Sequence, residues 1–286
     1  MNKKDINEAS DLFMVEYRKR TDIFNMPANH YHDRYEIYYM LSGERYYFIK
    51  DRTYHVVKGD LVIINKNEIH KTTHVDSSNT MHERILIEFK KEFLGSIIDD
   101  INDTDLFSCF HQNINVLRLN INEQSFIENL LFKMVSENKR QSEGFKTYLK
   151  VSLVELLLFI TRCVAKVSTN HFEYPNAVHK KISDIVKHIN NHYMENLTLT
   201  SISKKFFISP YYFSRTFKEV TGFTFVEYVN SVRIKEAQRL LRESKLNVTQ
   251  IAEKVGYENI THFGRVFKAI TGFSPLKYKK NNKELS

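Results

Sequence analysis

Apolar positions in the first third of the chain occur in short runs that are typical of β-strands. The runs cover residues 36–41, 45–49, 61–64 and 83–89 and are rich in Tyr, Ile, Val and Phe. Turn-forming pairs such as Ser42-Gly43 and Gly59-Asp60 lie between them. Several short strands separated by turn signals predict a β-sandwich or β-barrel.

The apolar spacing changes to that of α-helices after residue 120. Residues 122–141 and 145–167 carry apolar residues at helical intervals. The second segment has one apolar stripe, formed by Leu149, Leu153, Leu156, Ile160 and Val164. Such a stripe packs either on its own barrel or against a second chain. The polar segment 168–177, which contains Pro175, is predicted to be a linker.

Two segments of the last third align with each other. They are residues 197–228 (LTLTSISKKFFISPYYFSRTFKEVTGFTFVEY) and 246–278 (LNVTQIAEKVGYENITHFGRVFKAITGFSPLKY). Ile202 matches Ile251, and one inserted residue precedes the remaining matches. Those matches are Phe213 with Phe263, Arg215 with Arg265, Phe217 with Phe267, Lys218 with Lys268, Thr221 with Thr271, Gly222 with Gly272, Phe223 with Phe273 and Tyr228 with Tyr278. The ordered matches predict a duplicated unit.

Each copy has the signals of two short helices joined by a turn. The N-cap candidates are Thr198 and Ser209 in the first copy and Asn247 and Asn259 in the second. Phenylalanines four residues apart share the inward face of the second helix. The outward positions are Tyr211, Ser214, Arg215 and Lys218 in one copy and Thr261, His262, Arg265 and Lys268 in the other. This design predicts a helix-turn-helix unit, whose second helix enters the major groove of DNA.

The segment between the two copies is predicted to be one continuous helix. Residues 225–242 place Phe225, Val229, Val232 and Leu240 on a single stripe. A helix of this length would hold the two units at a fixed separation.

Charge is divided unevenly along the chain, whose net charge is +8. From Val178 onward 19 Lys and Arg stand against 9 Asp and Glu, while residues 1–177 carry 23 against 25. Clustered Lys and Arg bind phosphates by releasing counterions, so the split indicates a polyanion-binding module joined to a neutral one. Cys109 and Cys163 lie in apolar neighbourhoods, which favours buried, reduced thiols over a disulfide or metal pair.

The ends of the chain and its apolar runs predict a cytoplasmic protein. The start, MNKKDINEAS, lacks the apolar stretch of a signal peptide. The longest apolar run, residues 153–160, is interrupted by Glu155 and is too short to cross a bilayer.

Residues 178–283 resemble the AraC/XylS family of bacterial transcription regulators. The resemblance is carried by SPYYFSRTFKEVTGFTFVEYV and GYENITHFGRVFKAITGFSPLKY, the second of which is close to the family signature. The chain departs from the family at Phe207, where the first turn often has Gly, and at Lys279, where Arg often follows the final Tyr. Because Gly tolerates positive φ and Phe does not, Phe207 leaves the conformation of this turn open.

The resemblance implies which side chains contact double-stranded DNA. Tyr211, Ser214 and Arg215 would read bases in one groove, and Thr261, His262 and Arg265 in the next, in agreement with the hydrogen-bonding groups that the major groove presents. Lys218 and Lys268 are expected to contact phosphates, which fix register but not sequence. The resemblance also implies a homodimer formed through the helices before the linker, and RNA polymerase as a partner.

The N-terminal segment resembles the cupin pattern. The first cupin motif is matched by His30, His32, Glu36 and Gly43. Gly59 and His70 are similar to the second motif, with Asn65 and Asn67 where Pro and Gly are usual. In AraC-type regulators this barrel binds a small-molecule effector, often a sugar. The effector-binding candidates here are His30, His32, Glu36, Tyr38, Tyr46 and His70.

Imidazole and carboxylate groups suit iron, manganese or zinc. The second motif is degenerate, however, and motif matches carry false positives. We therefore predict that the protein requires no metal and no other cofactor.

The sequence as a whole predicts an α+β protein. A cupin-like, effector-sensing β-barrel occupies residues 1–120, a helical dimerisation segment 121–167, a linker 168–177 and an all-α double helix-turn-helix domain 178–286. We expect a DNA-binding transcription regulator controlled by a small molecule, and not an enzyme. Two alternatives stay open at this point: a metal-dependent cupin enzyme with a DNA-tethering tail, and a ligand-independent architectural DNA-binding protein.

Overall fold

The computed structural model describes residues 12–21, 32–75, 81–167 and 174–283. Strands in the N-terminal half form two antiparallel sheets, one with the order β1-β7-β2-β5-β8 and one with the order β4-β3-β6. The strands are β1 Phe13–Arg20, β2 Tyr35–Ser42, β3 Glu44–Ile49, β4 Arg52–Val57, β5 Asp60–Ile64, β6 His70–Thr73, β7 His82–Phe89 and β8 Val116–Arg118. The four predicted strands are therefore confirmed as β2, β3, β5 and β7.

Side-chain alternation along β2 explains why this strand is apolar on both faces. Tyr38 and Met40 point between the two sheets and pack with Tyr47 and Ile49 of β3. The intervening residues of β2 face the opposite way, into a second core shared with helices. The larger sheet is thus buried on both sides.

Two long helices, α2 Ile121–Arg140 and α3 Phe145–Lys166, cover the outer face of the larger sheet. They follow two single 3₁₀ turns (Lys91–Phe93 and Gly95–Ile98) and a short helix α1, Ser108–His111. The five residues of the predicted apolar stripe on α3 are all buried in the core with the barrel. Of the two alternatives for that stripe, packing on its own barrel is the one observed.

The C-terminal part consists of helices that begin at polar caps. The helices are α4 Ala177–His192, α5 Leu199–Lys205, α6 Pro210–Thr221, α7 Phe225–Glu243, α8 Val248–Lys254, α9 Ile260–Thr271 and α10 Pro275–Lys283. The four predicted N-caps, Thr198, Ser209, Asn247 and Asn259, each accept a hydrogen bond from the first turn of their helix. The duplicated unit is therefore a helix-turn-helix in both copies: α5 and α6, then α8 and α9.

Helix α7 belongs to the cores of both units. Phe225 and Val229 pack with the first unit, whereas Leu240 and Leu241 pack with the second. The continuous linking helix predicted from residues 225–242 is confirmed.

The barrel packs directly on the first unit. Phe48 of β3 and Ile69, which precedes β6, lie in the same buried cluster as the aromatic core of that unit. The Tyr228 hydroxyl donates to the Lys50 carbonyl oxygen at 3.0 Å, and Lys187 lies 3.8 Å from the Asp51 carboxylate. The second unit builds its buried cluster from residues of the C-terminal helices.

In the part of the chain that the structure describes, every helix is too short or too polar to span a bilayer.

Candidate DNA-binding surface and barrel site

The helices α6 and α9 have the same start and the same end. Ser209 Oγ accepts from the Tyr212 amide at 3.2 Å, and Asn259 Oδ1 accepts from the His262 amide at 2.9 Å. Both helices end at a glycine in the left-handed region, Gly222 (φ +75°) and Gly272 (φ +78°). The duplication of sequence is thus a duplication of geometry.

The inward and outward faces of these helices are those predicted. The paired phenylalanines of each helix, Phe213 with Phe217 and Phe263 with Phe267, are fully buried. All eight predicted DNA-binding side chains are exposed: Tyr211, Ser214, Arg215, Lys218, Thr261, His262, Arg265 and Lys268. Each helix therefore presents one arginine and, three residues later, one lysine on a polar outer face.

The two outer faces differ in how the arginine is held. Arg215 Nε donates to the Glu219 carboxylate at 2.7 Å, one turn further along α6. The corresponding residue of the second unit is Ala269. Glu219 thus restrains Arg215 in a way that its counterpart cannot restrain Arg265.

The turns before α6 and α9 have one geometry despite different residues. Phe207 (φ +54°) and Gly256 (φ +90°) both lie in the left-handed region. The next amide closes each turn, from Ile208 to the Ser203 carbonyl at 3.0 Å and from Tyr257 to the Ala252 carbonyl at 2.9 Å. The sequence left the conformation of Phe207 open. In the structure Phe207 adopts the left-handed conformation that Gly256 has at the equivalent position. The Phe207 side chain is 92% exposed.

The two units are joined by α7 and also by contacts around the loop at residues 193–196, which precedes α5. Arg233 of α7 donates to the carbonyl oxygens of Tyr193 and Glu195 at 2.7 and 2.8 Å, and its guanidinium lies 5.3 Å from the centre of the Tyr257 ring. A Cβ atom at Gly256 would lie 2.6 Å from the Met194 carbonyl oxygen. The turn of the second unit thus touches the loop that leads into the first.

Three of the predicted effector-binding residues meet at one end of the barrel. Glu36 Oε2 lies 3.3 Å from His32 Nε2 and 3.3 Å from His70 Nε2, and Glu36 and His70 are almost completely buried. The second oxygen, Oε1, accepts from the Tyr47 hydroxyl at 2.5 Å. Glu88 adds a further carboxylate 3.9 Å from His32 Nε2.

Backbone carbonyls set the tautomers of both histidines. His32 Nδ1 lies 3.1 Å from the Arg34 carbonyl and His70 Nδ1 lies 2.8 Å from the Glu68 carbonyl. A carbonyl only accepts, so both Nδ1 atoms carry hydrogen and both Nε2 atoms face Glu36. The Asn67 amide in turn donates to the His32 carbonyl at 2.7 Å. Asn67 has φ +60°, a conformation that Asn tolerates better than most residues, which explains how Asn replaces the usual glycine.

The charges of this cluster reinforce one another. Burial alone would raise the pKa of the Glu36 carboxyl, but the neighbouring His70 and His32 hold it well below its usual value. Burial alone would lower the pKa of His32, but hydrogen bonding to Glu36 and the nearby carboxylates raise it. Burial and Glu36 together raise the pKa of Tyr47, so this hydroxyl stays a donor. The cluster is thus a buried carboxylate that accepts from the Tyr47 hydroxyl and faces two histidine Nε2 atoms, each of which donates to it only when its ring carries both protons.

The remaining predicted residues do not all join this cluster. Tyr38 lies in the barrel interior, with its ring 5.4 Å from that of Tyr47. Tyr46 must be corrected: neighbouring residues of a strand point to opposite faces, so Tyr46 lies outside the barrel, 5.0 Å from the His179 ring. His30 lies outside the described residues. The alternation of β3 would have indicated Tyr47 in place of Tyr46.

The cluster has two chemical uses. The carboxylate and the imidazoles are suited to hydrogen-bonding a hydroxyl-rich ligand, and the ligand atoms of His32, Glu36 and His70 all lie within 4.8 Å of one another, close enough to hold a divalent metal ion. The prediction that no metal is required stays a prediction.

Comparison with known proteins identifies both parts of the chain. Residues 14–147 match the AraC-like ligand binding domain, and residues 202–281 match the helix-turn-helix domain family. The chain belongs to the AraC family of HTH transcriptional regulators, with an AraC-like ligand-binding domain followed by a helix-turn-helix domain. This is a family of regulators and not of enzymes, as predicted.

Relatives of known sequence include HTH-type transcriptional regulators from two genera. YisR of Bacillus subtilis (strain 168) is 36% identical over 109 residues, which are 38% of this chain and 38% of that protein. SAR0107 of Staphylococcus aureus (strain MRSA252) is 24% identical over 243 residues, which are 84% of this chain and 31% of that protein. The chain thus spans well under half the length of these relatives.

Similar solved structures include one of both parts and one of the second part. Unsaturated-fatty-acid-bound ToxT from Vibrio cholerae strain SCE256 is 17% identical, with 94% of this chain and 95% of that chain covered and a TM-score of 0.40. The C-terminal domain of AraT, a response regulator from Geobacillus stearothermophilus, is 30% identical, with 37% of this chain and 88% of that chain covered and a TM-score of 0.36.

Proposed function

We propose that this protein is a transcription regulator that binds a specific double-stranded DNA sequence with both helix-turn-helix units. The observation that carries the proposal is the match between α6 and α9: each is a capped helix that buries a phenylalanine pair on its inner face and exposes an arginine and a lysine at equivalent positions of its outer face. The net charge of +10 beyond residue 177 supplies the attraction to phosphates.

The residue types divide the work of DNA recognition. Arg215 and Arg265 form bidentate contacts with guanine, and Ser214 and Thr261 hydrogen-bond neighbouring bases. Tyr211 and His262 supply ring surface near the helix starts. Lys218 and Lys268 bind phosphates and fix the register of each helix.

A small molecule bound in the N-terminal domain controls this DNA binding. His32, Glu36 and His70, with Tyr38 nearby, offer the donors and acceptors that a carbohydrate's hydroxyl groups need. We expect His30 to belong to the same set, and we expect the site to work without metal. RNA polymerase, as partner at the promoter, rests on the family resemblance alone.

The protein acts as a homodimer. Because the α3 stripe packs on the barrel, another surface must form the dimer contact. An apolar groove between α2 and α3 is available, with Phe126, Val151, Val154, Leu158 and Phe159 in its lining. The substitution that tests this groove is Val151→Glu, which introduces a charge at an apolar position that is more than half exposed. Sedimentation should show a dimer for the natural chain and a monomer for the variant.

The experiment that tests the function is selection of binding sites from a random duplex library by the full chain. A regulator enriches one site and binds it at least about a thousandfold more tightly than random DNA. A ligand-independent architectural protein gives a weak ratio of specific to non-specific affinity. Thermal-shift screening of sugars and metabolites then identifies the effector, and metal-dependent turnover of any substrate would instead support the enzyme alternative.

A further inference from the structure

A cleft of about 850 Å³ lies between the barrel and α6. Small-molecule sites typically have volumes of roughly 300–1,000 Å³ and occur preferentially at domain interfaces. The barrel contributes Tyr46, Thr73 and His74, the start of α4 contributes Val178 and His179, and the second half of α6 forms the opposite wall. This cleft is separate from the His32–Glu36–His70 cluster inside the barrel.

Cations dominate the charges that face the cleft. Lys71 comes from β6, and Arg215 and Lys218 come from α6. The acidic side chain in the lining is Glu219, and its carboxylate is bonded to Arg215 at 2.7 Å. The cleft therefore has an excess of positive charge, which favours an anionic ligand.

Lys71 is held at the base of the cleft. Its ammonium donates to the Gly222 carbonyl at the end of α6 and lies 4.9 Å from the centre of the Phe223 ring. Lys218, on the α6 side of the same cleft, carries a second ammonium group. An anion between the two ammonium groups would reduce the repulsion between them.

The remaining wall consists of two rings and two valines. The Tyr46 and His179 rings pack with centroids 5.0 Å apart and planes inclined at 52°, and Val178 and Val220 complete the surface. His179 Nδ1 lies 3.0 Å from Asn176 Oδ1, which fixes the ring. Such a wall fits the planar body of an aromatic ligand.

We propose that this cleft binds an organic anion with a flat apolar body, and that the bound anion withholds Arg215 and Lys218 from DNA. The inference rests on the proposed DNA-binding function, because both residues also lie on the predicted reading face. Ligand and DNA would then compete for one surface of the first unit, while the second unit keeps its own.

Calorimetric titration of the full chain with 2-naphthoate and with its neutral analogue 2-naphthylmethanol tests whether the cleft binds an organic anion. We expect one site per chain and roughly tenfold tighter binding of the acid, the size of one charged hydrogen bond. Lys218→Gln should abolish the preference for the acid, whereas Lys268→Gln, at the matched position of the second unit, should preserve it. Thr73→Trp, which fills the cleft from the barrel side, should prevent binding of both compounds.

A DNA-binding titration tests whether the bound anion competes with DNA. It uses a duplex that the full chain has selected from a random library. Naphthoate at ten times its own Kd should raise the apparent Kd for DNA about tenfold in the natural chain and leave it unchanged in Thr73→Trp. Equal affinity for acid and alcohol, or binding insensitive to Lys218→Gln and Thr73→Trp, would overturn the site. An unchanged DNA affinity at saturating naphthoate would overturn the competition. Failure to select any duplex would refute the DNA-binding function itself, and the titration would still decide the site.

Discussion

At the scale of single residues, we expect the arginines and the lysines on the outer faces of α6 and α9 to have different tasks. Changing Arg215 or Arg265 to Ala should cost about 1–3 kcal/mol on the selected duplex and relax base preference at one position. Changing Lys218 or Lys268 to Ala should weaken binding to all sequences alike and flatten the dependence on salt. Titrations against the selected duplex and its single-base variants measure both effects. Equal loss on selected and random DNA for Arg215→Ala would contradict base readout.

Phe207 is a strained residue whose relief can be measured. A non-glycine residue in the left-handed region costs roughly 1–2 kcal/mol, and Phe207 adopts φ +54° with its side chain in solvent. Phe207→Gly should therefore raise the free energy of unfolding by about 1 kcal/mol, after the larger chain entropy of glycine is subtracted. Urea unfolding of the full chain gives the difference.

The matched change in the second unit should act in the opposite direction. Gly256→Ala introduces left-handed strain that glycine does not have, and it also forces Cβ against the Met194 carbonyl oxygen. We expect clear destabilisation. A stabilised Gly256→Ala, or a destabilised Phe207→Gly, would show that the two turns are not equivalent.

The sequence predicted the exposed faces of α6 and α9 better than it predicted the residues of the barrel. Spacing alone identified both outward faces of the reading helices, since a buried phenylalanine pair leaves little choice of orientation. The prediction for Tyr46 was wrong because β3 carries aromatic residues on both of its faces. The polarity of these residues therefore did not reveal which face points into the barrel. The roles of Phe48 and Lys71 were not predictable, because their partners lie more than a hundred residues away along the chain.

At the scale of elements, α7 and the Arg233 contacts hold α6 and α9 at a fixed separation and orientation. Successive major-groove segments on one face of DNA recur about every 34 Å, or 10–10.5 base pairs. The binding site should therefore hold two short boxes about one turn apart, each read by different side chains.

Insertions between the two boxes test this geometry. Five inserted base pairs would turn one box to the opposite face of the duplex and should abolish tight binding, while ten would restore the face but not the distance. A gel-shift titration of the three duplexes is the measurement. Binding that is indifferent to the five-pair insertion would mean that only one unit reads DNA.

The two long helices before the C-terminal part and four of the eight described strands were predictable. The helices predicted at 122–141 and 145–167 are observed as Ile121–Arg140 and Phe145–Lys166. Strands β1, β4, β6 and β8 were missed. Charged residues interrupt the apolar pattern of β1 and β4, as in EYRKR of β1, and β6 and β8 have only four and three residues. Pairing with neighbouring strands, which sequence spacing does not report, compensates for this polarity.

At the scale of the whole molecule, β3 and β6 connect the barrel interior to the DNA-binding part. Tyr47 and His70 face the interior, while their neighbours Phe48 and Lys71 contact the first unit. A ligand that displaces the backbone at either interior residue would also displace its neighbour, whose side chain points to the opposite face of the strand. The barrel is thus in direct packing contact with the first unit.

The Tyr228 hydroxyl reports the strength of this coupling. Tyr228→Phe removes a hydroxyl whose single hydrogen is shared between the Lys50 carbonyl oxygen and Asn190 Oδ1, each 3.0 Å away. It should cost about 1 kcal/mol of unfolding free energy, seen as a Tm lower by about 2–4 °C. Tyr278→Phe, the equivalent change in the second unit, should have a smaller effect because that hydroxyl binds the exposed Arg242. A larger loss for Tyr278→Phe would argue against the barrel contact.

His179 makes the docked arrangement sensitive to acid. Burial against the barrel lowers its pKa, so the docked state favours the neutral ring. Its contribution to stability is complete above the unfolded pKa of about 6.5 and falls as the pH drops below that value, because the unfolded chain then binds the extra proton.

Unfolding midpoints between pH 7.5 and 5.5 check this sign. The natural chain should lose more stability on acidification than His179→Gln, which has no titrating group at this position. The comparison between the two chains cancels His32, whose raised pKa acts in the opposite direction. Identical pH profiles would exclude His179 as the source.

The barrel residues in the core of the first unit also set the order in which the parts of the chain fold during synthesis. Phe48 and Ile69 leave the ribosome long before α4 to α7, and domains fold as units from the N-terminus during translation. The first unit therefore completes its core on a surface that has already folded, and the second unit closes later with its own helices. A nascent chain that ends after α7 already carries one reading helix attached to its sensor.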